Sequence, residues 1–199
     1  MHFDFAKPLK VAALALGLGL GALGAHAATV NCPGTPETTD REFSLTTTVA
    51  TTCITSGVGN INGNPAQDPL LAFLGAGYSM IDKSDLAGSG ITLTGLGTTS
   101  GTFSIDFANL LTPPPAGSIW TNLVLALKSG EGQFNPDWAA FGLPDGVTSG
   151  SWTISSQGLS HMNIYGQLSA VPLPAGLPLL LGSFALMGLV MRRKSGKSV

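Results

Sequence analysis

From Glu42 to Thr55 the chain alternates: Phe43, Leu45, Thr47, Val49, Thr51 and Cys53 fall on one face, and Ser44, Thr46, Thr48 and Thr52 largely on the other. A period of two in β-branched company predicts one long strand with Cys53 pointing inward at its end. Further strand-like runs cover 78–82, 90–94, 102–107, 118–128, 137–141, 151–155 and 159–165, each bounded by clusters of Gly, Pro, Ser, Asn or Asp. In 102–107 the alternation predicts Phe103, Ile105 and Phe107 inward and Ser104 and Asp106 outward. The stretch 31–40, rich in Pro, Thr and Gly, reads as irregular, and 69–74 fits a helical turn as well as a buried strand. With no amphipathic helix between strands and no repeat at a fixed period, the pattern predicts an all-β domain, an antiparallel β-sandwich or jelly roll.

Two apolar stretches stand outside that pattern. Near the start, Lys7 and Lys10 precede the run 11–24, and Ala25-His26-Ala27 puts small residues where a signal peptidase reads. This predicts a signal peptide over 1–27, cut between Ala27 and Ala28, since the run is short for a bilayer span. Near the end, Val171-Pro172-Leu173-Pro174-Ala175 is held extended by its prolines. Residues 177–191 carry no charge and run directly into Arg192, Arg193 and Lys194, which reads as a short membrane helix with a stop-transfer cluster. At helical rise that stretch is about 22 Å long, short of the ~30 Å hydrocarbon core. Pro178, Gly182 and Gly188 interrupt it, so a temporary anchor is expected.

Setting both ends aside leaves one domain, 28–170, in which Arg41, Lys83 and Lys128 face ten acids, a formal charge of −7 that the whole-chain value of −2 conceals. Nucleic acid is a poor partner for such a body, because phosphate binding needs a surplus of Lys and Arg. Export permits disulfides, and the only two cysteines, Cys32 and Cys53, are expected to pair. Closing that loop would stabilise the fold by ~3 kcal/mol on the chain-entropy account.

Catalytic chemistry finds little to work with. No Ser has Gly at both minus two and plus two, so the nucleophile elbow is missing. His161 is the only histidine after the leader and reads as a structural donor on a strand. Asn60, Asn62 and Asn64 offer alternating carboxamides, but Pro65 and Leu71 stand where a calcium loop wants Gly and Glu, so a turn is the simpler expectation. Asp106, Glu131, Asp137 and Asp145 are the acids from which a glycosidase pair could be drawn. Trp120, Trp138 and Trp152 could stack on sugars or fill the core, and core packing is preferred because each sits in a strand-like run. No metal, no cofactor and no catalysis are expected.

The tail resembles the sorting signals of PEP-CTERM proteins, in which a short proline motif, a membrane helix and a basic cluster are recognised by an exosortase of Gram-negative bacteria. Val171-Pro172-Leu173-Pro174-Ala175 is similar to the VPLPA variant, with Leu173 where the commoner motif has Glu. Within the body, Leu125 to Lys128, Trp138 to Phe141, Ser149 to Trp152 and Leu159 to Gly166 resemble a recurring C-terminal half among exosortase-sorted proteins. The resemblance implies that signal peptidase and an exosortase are partners and that the inner membrane holds the chain transiently. It also implies a final place at the cell surface or in the exopolysaccharide matrix, with a structural or adhesive role. Two alternatives stay open: a carbohydrate-binding module contacting matrix polysaccharide through Trp138, and a glycosidase.

Overall fold

The computed structural model describes residues 27–33, 40–130 and 134–171, together with Ser183, Phe184 and Met187. Within the described residues from 27 to 171, ten strands and one short helix follow in the order β1 Ala28–Cys32, β2 Phe43–Thr47, β3 Thr52–Gly57, α1 Pro69–Leu74, β4 Tyr78–Lys83, β5 Ile91–Leu93, β6 Ser100–Ile105, β7 Ser118–Ser129, β8 Trp138–Gly142, β9 Ser149–Ile154 and β10 Leu159–Ala170. They form two five-stranded sheets, β1-β2-β9-β6-β5 and β3-β8-β7-β10-β4, in which every pair is antiparallel. Phe43, Leu45, Phe103, Ile105, Trp152 and Ile154 from the first sheet meet Leu125, Leu127, Phe141, Met162 and Ile164 from the second in one apolar core. The all-β, two-sheet expectation holds.

The long strand expected over 42–55 does not form. The chain leaves the first sheet after Thr47 and enters the second at Thr52, with Val49 exposed in between. Thr47 Oγ1 donates to the Val49 carbonyl at 2.5 Å, closing a local turn that a ladder hydrogen bond would otherwise exclude. The β8 to β9 connection makes the return crossing, so β2 lies beside β9 in one sheet and β3 beside β8 in the other.

The second sheet is covered on both faces. Its inner face carries the shared core, while its outer face, with Val124, Ala126, Trp138, Ala140 and Tyr165, packs under Ile61, Leu70 and Leu71. The lid is α1 and the loop before it. Residues 69–74 resolve as a helix because Asp68 caps it, accepting from the backbone N–H groups of Leu70 and Leu71, and Pro69 occupies the first turn where its missing donor costs nothing. Double coverage explains why Val124 to Ser129 and His161 to Gly166 are buried at every position instead of alternating.

Two further departures matter. Ala28–Cys32, expected to be irregular from Asn31 onward, is an edge strand in register with β2, from Ala28↔Thr47 to Cys32↔Phe43. β10 runs to Ala170, five residues past its expected end, and pairs with the start of β7.

Candidate functional site

A group of buried polar side chains lies on the outer face of the second sheet. His161, Asn163 and Tyr165 are spaced by two along β10, which puts all three on one face under the 57–75 lid. Asn163 Nδ2 donates to the Ile61 carbonyl at 2.9 Å, and His161 Nε2 lies 3.2 Å from the same oxygen. The Tyr165 hydroxyl donates to Asp68 Oδ2 at 2.8 Å, and that oxygen also accepts from Gly63 N. Asp68 therefore serves the helix cap, the loop and the strand at once.

Electrostatics here favour neutral rings. Burial pushes the His161 imidazole below its ordinary value, and the charges of Lys83 and Lys128 push the same way against the Ile61 carbonyl and Asp85. Burial drives the Tyr165 phenol well above its ordinary range, so it remains a donor. A neutral imidazole donating from Nε2 to Ile61 leaves Nδ1 to face Ser160 Oγ at 3.3 Å. The only polar atom of this group without a partner is Asn163 Oδ1.

Other buried charges are similarly engaged. Asp82 accepts from Lys83 N, Ser89 Oγ and Gly90 N, pinning the β4 to β5 connection. Arg41 donates to the carbonyls of Gly130 and Pro136 and to Gln157 Oε1, with its guanidinium 5.7 Å from the Phe134 ring centre. Burial lowers its proton affinity while Asp137 opposes the shift. These contacts tie loops to strands, while Arg41 Nε and Asp137 Oδ1 find no partner among the described residues.

The acids considered for hydrolysis are placed as follows. Asp106 sits on an exposed turn, where the Asn109 side chain and Ala108 N hold its carboxyl below the usual range. Asp137 is buried at the head of β8 and accepts from Gly59 N at 2.7 Å. Asp145 is exposed in the β8 to β9 connection. Glu131 lies outside the described residues. Among the described residues, no three His, Cys, Asp or Glu gather as a metal site would require.

Asn62 and Asn64 spend their side-chain oxygens on the backbone N–H groups of Asn64 and Ala66, as turn-forming residues do. Asn60 is exposed. The tryptophans divide. Trp138, named for a glycan contact, is 3% exposed and its Nε1 donates to the Val58 carbonyl, so it offers no face for stacking; Trp152 is equally enclosed. Trp120 is half-buried beside an apolar groove of about 270 Å³ lined by Phe107, Leu110, Ile119, Leu123 and Val147 among others. Of the three tryptophans, Trp120 is thus the one whose ring reaches the surface, which its strand-like setting did not distinguish from the others.

Cys32 and Cys53 are bonded, with Cα atoms 5.2 Å apart, and because β1 and β3 belong to different sheets the bridge clamps the two layers together. Ala27 is exposed and Ala28 opens β1. At the other end Ala170 pairs with Ser118, and Val171 N donates to the Gly117 carbonyl. Val171 is exposed, while Pro172, Leu173, Pro174 and Ala175 and the cluster Arg192, Arg193 and Lys194 lie outside the described residues, as does the leader 1–26. Among the described residues no helix is long and apolar enough to cross a membrane. No protein-family model, curated protein or solved structure matches the chain.

Proposed function

We propose that the protein is an exported, exosortase-processed surface or matrix component whose role is structural or adhesive and does not include catalysis. One observation carries this reading. Among the described residues, sheet hydrogen bonding begins at Ala28 and ends at Val171, the residues at which the sequence places signal-peptidase cleavage and the start of the proline motif. Both boundaries fall outside the apolar core, so cutting at either would remove none of the ten described strands.

In this reading the signal helix leads the chain across the inner membrane, and the stretch 177–191 halts it there as a single short membrane helix until the exosortase cuts near Val171 to Ala175. The inter-sheet disulfide suits an oxidising compartment. Buried His161, Tyr165, Asp68, Asp82 and Arg41 are engaged in holding loops and sheets together, which supports a structural body over a reactive one. Cell fractionation tests the proposal. In a producing strain the protein should reach the outer surface or matrix, and deleting the exosortase should strand it in the inner membrane. Unchanged distribution after that deletion would refute it.

A further inference from the structure

Where β10 ends, the second sheet narrows to a two-stranded ribbon. β8 pairs with β7 only from Val124 onward, and β4 pairs with β10 only as far as Gln167. Beyond those points β7 and β10 pair with each other alone, through Trp120↔Leu168, Ile119↔Ser169 and Ser118↔Ala170. Directly opposed residues share a face, so Trp120 and Leu168 lie on one side and Ile119 on the other. Ile119 is 47% exposed, Leu168 50% and Val171 45%, while Trp120 is half-buried and held by its Nε1 donating to the Thr112 carbonyl. Leu111 adds a further exposed apolar side chain one residue before that anchor.

We propose that this ribbon is a membrane-contacting finger that rests in the interfacial layer of the lipid bilayer during the anchored stage. The inference depends on the reading of 177–191 as a membrane segment. Leu177 lies six residues past Val171, and six extended residues reach at most about 20 Å. The end of the body that carries Val171 is therefore the end kept next to the bilayer. There it presents Trp, Ile, Leu and Val on a ribbon without a charged side chain from Ser118 to Leu123 or from Gln167 to Val171. Tryptophan favours the headgroup boundary because its ring is apolar and its N–H polar, and aliphatic neighbours add buried area without requiring anionic lipid. Exposed apolar side chains on both faces are costly in water, and a lipid boundary covers both at once.

The test uses the chain from Ala28 through its C-terminal tail, as it stands before exosortase cleavage, reconstituted into phosphatidylcholine vesicles with part of the lipid brominated in its acyl chains. Flotation reports the anchor, and tryptophan emission reports the finger. Trp138 and Trp152 are enclosed, so W120F supplies the background that brominated lipid cannot reach. The expected result is flotation with a loss of emission that W120F does not show, and the double variant I119N/L168N should float yet lose that quenching. Flotation without Trp120 quenching overturns the finger and leaves the anchor standing. Trp120 shielded from both brominated lipid and aqueous iodide also overturns it, pointing to cover by the chain's own proline segment or a second copy. Failure to float overturns anchor and finger together.

Discussion

The Tyr165 hydroxyl reaches Asp68 Oδ2 across 2.8 Å, so a side chain in the middle of β10 and the cap of α1 share one buried carboxylate. That bond fastens the lid to the sheet it covers. Tyr165→Phe keeps the ring in the apolar cluster but leaves Asp68 Oδ2 with Gly63 N as its partner. The expected loss is about 1–3 kcal/mol, the cost of an unmade buried hydrogen bond, read as a lower urea midpoint with an unchanged slope. A midpoint equal to wild type would remove the fastening role.

His161 makes stability depend on pH. Its folded proton affinity is lowered, first by burial and then by Lys83 and Lys128, so the unfolded chain binds the extra proton. Its contribution is complete above the unfolded value of ~6.5 and declines as pH falls through that value towards the lower folded one. Urea midpoints should therefore drop between pH 7.5 and 5.5, above the range in which ordinary carboxylates titrate. In H161Q that slope should flatten; an equally steep decline would assign it to other groups.

The Cys32–Cys53 bridge joins strands of opposite sheets across a sequence separation of 21. Reduction should cost about 3 kcal/mol by the loop-entropy account. Equilibrium unfolding with and without reductant measures it, and a difference near zero would show that the sheets hold each other without the clamp.

Gly101 lies where β6 turns back along β5. A Cβ there would strike the Thr94 carbonyl and come within 2.8 Å of Trp152 Cζ2, one a backbone atom and the other a packed core ring. Gly101→Ala should lower stability by about 1–3 kcal/mol, the usual cost of overpacking. Thermal unfolding would reveal it, and an unshifted midpoint would mean that both neighbours can give way.

Much of the architecture was legible because period-two alternation with turn residues at the boundaries is a local signal. The runs at 102–107, 118–128 and 151–155 became β6, β7 and β9 with bounds shifted by a few residues. The break at 48–51 was not legible, because Thr47, Val49 and Thr51 continue the alternation through a change of sheet. The polar row was hidden for a different reason. His161, Asn163 and Tyr165 alternate with Met162 and Ile164 as on a solvated strand, and periodicity gives a face without saying what covers it. A usable clue was Asp68-Pro69 ahead of Leu70-Leu71, a capped helix start with two apolar residues to bury. Trp138 and Trp120 sit in equally strand-like runs, and only the lid over one and the narrowing ribbon under the other separate a core ring from a surface one.

The most direct test of the account is the C-terminus of the mature protein recovered from producing cells. Intact-mass and C-terminal peptide measurement should find a chain ending near Val171 to Ala175, without Arg192, Arg193 and Lys194, and the tail should reappear when the exosortase is deleted. A mature chain that keeps its tail through Arg193 whether or not the exosortase is present would contradict the account.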